Sequence, residues 1–144
     1  PMASHIPEHY MPDIDQRLTT YRRLSRMTAS EEVKSLKREL KDRFGQLPDE
    51  AMNLLIKIML RILAIRAGVK RLDLTETQLT LFLSTAHLKN PAGIIEWVTN
   101  IGRDNGADLS PNDVLTIRID AGHTHRILSR TKKILKEIIR HVNS

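Results

Sequence analysis

The chain has 144 residues and a formal net charge of +6, and it contains no cysteine. This length predicts one domain with its own core, residues 13–144, preceded by an extended lead-in, residues 1–12. The absence of cysteine excludes disulfides and cysteine-ligated metals, and the sequence has no run of about 20 apolar residues that would predict a membrane span. We therefore expect a cytoplasmic protein.

Two prolines among residues 5–12 interrupt any regular helix and predict an extended segment. Asp13 and Gln16 have the spacing of a capping box, so a first helix is expected to begin there and to end near Met27. Residues at helical spacing follow this start: Ile14, Leu18, Tyr21 and Leu24 or Ser25.

Residues 36–51 predict the end of a second amphipathic helix, a stop, and an immediate restart. Thr28 and Glu31 predict the capping box that opens this second helix. Apolar residues at helical spacing indicate its buried side: Val33, Leu36, Leu40 and Phe44. Gly45 suits the left-handed position just after a helix, and Pro48 suits the first turn of the next one.

The third helix is predicted from Pro48 to about Ala67 and is the most apolar segment of the chain. We expect it to be the centre of the core, with these residues buried: Met52, Leu55, Ile56, Met59, Leu60, Ile62, Leu63 and Ile65. Its polar residues Asn53, Lys57 and Arg61 recur at steps of four, which predicts one narrow solvent-facing stripe.

After Gly68 the pattern changes to alternation. Residues 69–74 and 78–83 predict one hairpin, and residues 107–109 and 114–119 predict a second, shorter one. Asn90–Pro91 is expected to cap a fourth helix that carries Ile94, Ile95, Val98 and Ile101 with Trp97 alongside, and a last helix is predicted from about residue 122 to Val142. Three helices followed by two ββα units predict an α+β fold, with a small, mainly antiparallel sheet packed against helices.

The sequence contains no glycine-rich loop with the spacing that cradles phosphates, so no nucleotide site is predicted. Asp49 and Glu50 fall at a helix start, where the helix dipole favours acids, and they do not indicate a helicase motif. His123 and His125 lie near Asp120, but three such residues at a junction do not define a metal site. We predict no catalytic, cofactor-binding or metal-binding residue, and this chain is not expected to be an enzyme.

The last helix is strongly basic, with Glu137 as the one acid among residues 126–140. Its candidate contacts to nucleic-acid phosphates are Arg126, Arg130, Lys133 and Lys136. We expect the cations to spread over several faces, and the helix has no aromatic residue to stack on a base. Two interpretations stay open: a solvated helix that keeps the domain soluble, and a non-specific contact to DNA.

Glu39 and Asp42 are three residues apart on the second helix, so their side chains share one face. This face is either a solvated acidic surface paired with Lys and Arg or a docking patch for another protein surface.

Three blocks of this sequence resemble the C-terminal domain of the bacterial transcription-repair coupling factor. They are Ile6-Pro7-Glu8-x-Tyr10-Met11-Pro12-Asp13, Arg17-Leu18-x-x-Tyr21-x-Arg23, and Leu36-x-x-Glu39-Leu40-x-Asp42-Arg43-Phe44-Gly45-x-Leu47-Pro48. The resemblance covers Ile6 to about Leu83, and from Ser84 onward it consists of the order of elements.

In that family the whole protein is a large ATP-dependent DNA translocase. It recognises RNA polymerase stalled at a lesion, releases it, and recruits UvrA for nucleotide excision repair. The resemblance implies that this chain follows the motor, so ATP and RNA polymerase would bind outside these residues.

The family's C-terminal domain is understood as an autoinhibitory clamp that packs on the N-terminal UvrB-like module and hides the surface for UvrA. By resemblance, Glu39 and Asp42 would face arginines of that module. Arg43, next to them, is expected to be a local counter-charge and not a partner contact. The implied function is a non-catalytic regulatory domain whose partner is the UvrB-like module, with UvrA and RNA polymerase as indirect partners.

Overall fold

The structure is a computed structural model that describes residues 3–75, 77–84, 91–102, 106–119 and 124–142. Its elements follow in the order α1 (Ile14–Arg26), α2 (Ser30–Phe44), α3 (Asp49–Arg66), β1 (Val69–Leu74), β2 (Gln78–Leu83), α4 (Ala92–Trp97), β3 (Ala107–Leu109), β4 (Val114–Arg118) and α5 (Thr124–Val142). A π-helical turn, Val98–Gly102, continues α4. The predicted α+β fold, with three helices before two ββα units, is confirmed.

Two compact units divide the chain within α3, Pro1–Ile62 and Leu63–Ser144. The first unit contains α1, α2 and most of α3. Its most deeply buried side chains come from the lead-in and from all three helices, and they include Met11, Leu24, Leu36, Leu40, Ala51 and Ile62.

The predicted N-terminus of α1 is confirmed, and only some of its apolar residues at helical spacing are buried. The Oδ1 atom of Asp13 accepts hydrogen bonds from two N–H groups of the first turn, at 2.8 and 3.3 Å. Ile14 and Leu18 are 60% and 45% exposed, whereas Thr20 and Leu24 are buried. The Thr20 hydroxyl donates to a carbonyl one turn earlier at 2.8 Å, so burying it leaves no unsatisfied polar group.

The capping box predicted for α2 from Thr28 and Glu31 is wrong by one residue. The capping side chain is Glu32, whose Oε1 atom accepts from the N–H groups of Thr28 and Ala29, each at 3.1 Å. Because Ala29 has no side-chain acceptor, only half of the reciprocal arrangement forms.

The lead-in is fixed to the helices of the first unit. The Tyr10 hydroxyl donates to the carbonyls of Leu40 and Gly45, at 3.1 and 2.8 Å. The N–H of Ile6 donates to the Tyr21 hydroxyl at 2.7 Å. The Gly45 carbonyl lies beyond the last turn of α2 and has no partner within that helix, so Tyr10 supplies a bond that α2 cannot make itself.

The predicted stop at Gly45 is confirmed. Its N–H donates to the carbonyl of Lys41 at 3.1 Å, and α3 begins at Asp49, directly after Pro48. The backbone angles of Gly45, φ 86° and ψ −167°, differ from the left-handed helical values that the sequence predicts. They fall in a region that is essentially restricted to glycine.

Gly45→Ala is therefore expected to lower the free energy of unfolding by about 1–3 kcal/mol, measured by urea denaturation. A Cβ atom at this position would meet no atom within 4 Å, so the cost would come from the backbone and not from a clash. Gln46→Ala, at the exposed neighbouring position, is the control and should change stability by less than about 0.5 kcal/mol. Equal stability of the two variants would contradict the assigned backbone strain.

The buried side of α3 matches the prediction in part. Met52 and Ile56 are half-buried, and Ile65 is 68% exposed. Ile65 follows Lys57 and Arg61 by steps of four, so it continues the predicted polar stripe instead of the core. Arg61 also connects two helices of the first unit: its Nη2 atom donates to the carbonyls of Leu24 and Met27, at 3.1 and 3.2 Å.

The second unit contains a four-stranded antiparallel sheet with strand order β1-β2-β4-β3. Leu81 of β2 lies opposite Leu115 of β4, and Leu79 lies opposite Ile117. All four side chains are fully buried, as alternation along a half-buried strand requires. Helices α4 and α5 contact each other in the same unit.

Candidate functional site

Glu39 and Asp42 lie on the outer side of α2. The buried side of this helix comprises Val33, Leu36 and Leu40. Asp42 is exposed and Glu39 is half-buried. Because residues three apart are neighbours on a helix surface, both carboxylates belong to one face of a helix whose opposite face is anchored in the core.

Arg23 of α1 pairs with Glu39. Its Nη1 atom lies 2.5 Å from Glu39 Oε2, and the two side chains are 44% and 39% exposed. Both groups therefore remain accessible to a partner, and an ion pair this exposed contributes at most about 1 kcal/mol to stability. Sixteen residues separate the pair, so no local pattern in the sequence predicts this contact.

Asp42 has no hydrogen bond or ion pair among the residues that the structure describes. Arg43, the predicted local counter-charge, forms no ion pair with Glu39 or Asp42 within the same described residues. Its guanidinium carbon lies 5.1 Å from the centroid of the Phe44 ring. The charge of Asp42 is therefore available for a partner.

An open cleft of about 510 Å³ lies beside the ion pair, lined by Arg23, Arg26, Met27, Glu31, Glu32 and Ser35. Its two acids already have partners: Glu32 caps α2, and Glu31 accepts from Lys34 Nζ at 3.4 Å. Since its walls carry charges of both signs, the cleft does not indicate a ligand of one charge.

The exposed cations of α5 lie on one side of the helix. Lys133, Lys136 and Arg140 are exposed and follow one another at spacings of three and four residues. These three side chains therefore share one side, whereas the predicted spread over several faces concerned all the cations of the helix. Arg130 is half-buried, and the side chain of Arg126 lies outside the described residues.

The three residues considered as metal ligands lie outside the described residues: Asp120, His123 and the side chain of His125. Within the ranges that the structure describes, no three His, Asp or Glu side chains are grouped so as to hold a metal. None of the helices in those ranges is long and apolar enough to cross a membrane.

The TRCF domain family matches residues 1–94 of the chain. The chain is 34% identical over 146 residues to the transcription-repair-coupling factor of Myxococcus xanthus, which covers 96% of the chain and 11% of that protein. It is 35% identical over 94 residues to the same factor of Escherichia coli, which covers 65% of the chain and 8% of that protein. The chain thus spans about a tenth of the length of these relatives.

The fold is similar to a crystal structure of the C-terminal domain of transcription-repair coupling factor. The TM-score is 0.82 at 15% sequence identity, and the alignment covers 99% of this chain and 90% of the crystallised one. Sequence and fold agree on the assignment, and the chain belongs to the TRCF domain family, that of the C-terminal domain of transcription-repair coupling factor.

Proposed function

We propose that this domain docks on the UvrB-like N-terminal module of a longer transcription-repair coupling factor and masks the surface that binds UvrA. The exposed and unpaired Asp42, on the same helical face as Glu39, is the observation that carries the proposal. The domain itself performs no catalysis in this scheme. ATP, DNA translocation and the release of RNA polymerase belong to other parts of the longer protein.

The chemistry of the two carboxylates suits a basic partner surface. Arginine forms short, charge-assisted and often bidentate hydrogen bonds with carboxylates, which fix orientation as well as attraction. Glu39 and Asp42 stand on a helix that is packed on Leu36 and closed at Gly45, so little further ordering is needed when a partner arrives.

A regulatory domain that docks on this module must also be able to dissociate from it. To move a closed-to-open ratio from 99:1 to 1:99 takes about 5.5 kcal/mol of differential binding. A small polar interface stays within this range because desolvation of the charges offsets much of their attraction. Attachment to the same chain supplies a high effective concentration, so a weak interface would still close.

The binding test uses the chain with a recombinant UvrB-like module and titration calorimetry. Glu39→Gln/Asp42→Asn keeps the shape of both side chains and removes both charges. We expect it to weaken binding about 10- to 100-fold, because truncating one side of an interfacial charge pair costs about 2 kcal/mol or more.

Glu8→Gln/Asp15→Asn is the matched control. It removes the same charge from two exposed acids whose side chains have no partner among the described residues. It should bind like the wild type. If the two double variants bind equally well, the docking role of Glu39 and Asp42 is wrong.

Arg23 gives the proposal a second test. Its guanidinium partly neutralises Glu39 and repels an incoming cation, so Arg23→Gln should tighten binding of the module about two- to five-fold. The same titration measures this change. Weaker binding by Arg23→Gln would show that Arg23 orients Glu39 for the partner and does not compete with it.

A further inference from the structure

Helix α5 carries an unpaired line of positive charge, which we name the basic line: Lys133, Lys136 and Arg140. No ion pair or hydrogen bond of these three side chains occurs within the described residues. The opposite side of α5 is buried and apolar, and it comprises Leu128, Ile134, Leu135, Ile138 and Ile139. The orientation of the line is thus fixed by the core.

The one acid among residues 126–140 faces another element. Glu137 is half-buried, and its Oε2 atom accepts from the indole Nε1 of Trp97 in α4 at 3.3 Å. Glu137 lies four residues after Lys133 and three before Arg140, positions from which an exposed acid would neutralise them. With this carboxylate turned toward Trp97, the basic line keeps its charge.

The chemistry of the line favours phosphates over two other anionic partners. A helix that binds a membrane surface inserts apolar side chains, and here the apolar side of α5 is buried in the domain. Protein interfaces are depleted in lysine, which supplies two of the three cations of the basic line. None of the exposed large apolar residues in the described part of the chain lies on α5.

We propose that the basic line binds the phosphate backbone of duplex nucleic acid without sequence preference. From Lys133 to Arg140 the line measures about 10 Å along the helix, which is enough to contact about three phosphates. Without an aromatic side chain on the line, bases of a single strand gain no stacking, so a duplex is favoured. This surface is separate from Glu39 and Asp42, and neither proposal depends on the other.

Fluorescence anisotropy measures the affinity of the 144-residue chain for a labelled duplex of about 25 base pairs at several salt concentrations. Neutralising about three phosphates predicts a contribution of about −2.7 to the slope of log affinity against log salt. That contribution alone is about a 40-fold loss of affinity between about 50 and 200 mM salt. Lys133→Gln/Lys136→Gln/Arg140→Gln should remove it.

Lys37→Gln/Arg38→Gln/Lys41→Gln is the control, since it removes the same charge from three exposed cations of α2. It should retain most of the affinity and the slope, and circular dichroism should show both triple variants folded. Equal losses in the two variants would mean that net charge alone attracts DNA, and would overturn the proposal.

Two further ligands test the assignment to nucleic acid. Polyglutamate and vesicles with anionic lipid should bind at least about ten-fold more weakly than the duplex at equal charge concentration. If either ligand binds as tightly as the duplex and loses its affinity in the Lys133/Lys136/Arg140 variant, the partner class is wrong.

Discussion

Trp97→Ala is expected to lower the free energy of unfolding by about 3–5 kcal/mol. Trp97 is the single tryptophan of the chain, and its side chain is 0% exposed. Removing the indole leaves a large cavity and also takes away the hydrogen bond from Nε1 to Glu137. Urea denaturation followed by far-ultraviolet circular dichroism measures the loss, because the variant has no tryptophan fluorescence.

Two variants separate the packing of the ring from the hydrogen bond. Trp97→Phe keeps an aromatic ring and loses the N–H group, so it should cost about 1–3 kcal/mol. Ile95→Ala, on the same helix but at a position 49% exposed, should cost less than about 1 kcal/mol. If Trp97→Ala were no more costly than Ile95→Ala, the indole would not be a core residue.

Trp97 also illustrates which features of the fold are local in sequence. The change from helical spacing to alternation after Gly68 predicted the elements correctly, because each pattern lies within a few residues. Trp97 packs near α5 and bonds Glu137, forty residues away, and the spacing within its own helix indicates only that it lies alongside the apolar residues. The pairing of β2 with β4, which sets Leu81 opposite Leu115, is equally remote.

The candidate site divides in the same way. Glu39 and Asp42 came from a local motif, and their place on the outer side of α2 agrees with it. The pairing of Glu39 with Arg23 requires two helices to lie side by side, which no spacing within either helix predicts. The spacing of three and four residues along the basic line is local in sequence, but which cations of α5 are exposed depends on how the helix packs.

Tyr10→Ala is the second substitution with a large expected effect, about 3–5 kcal/mol of unfolding free energy. The Tyr10 ring is buried, with its centroid 5.7 Å from that of Phe44, and its hydroxyl closes the end of α2 at Leu40 and Gly45. Urea denaturation measures the loss. Because Asp42 lies in the last turn of α2, the variant should also bind the UvrB-like module more weakly.

Tyr10→Phe isolates the hydroxyl from the ring. It keeps the packing and leaves two carbonyls at the end of α2 without this donor, so it should cost about 1–3 kcal/mol. If Tyr10→Phe is as stable as the wild type, water replaces the phenol at the helix end and the lead-in holds α2 by packing alone.

Alkaline pH gives an independent measurement of the same contact. Burial raises the pKa of the Tyr10 phenol above its ordinary value near 10. The folded state then binds the phenolic proton more tightly than the unfolded state, so this contribution to stability is complete below about pH 10 and is lost as the pH rises toward the folded pKa. The stability advantage of the wild type over Tyr10→Phe should therefore shrink above about pH 10. Every other group is the same in the two proteins, so taking the difference between them isolates the contribution of the phenol. A constant difference across this range would show that the phenol is solvated in the folded chain and does not seal the end of α2.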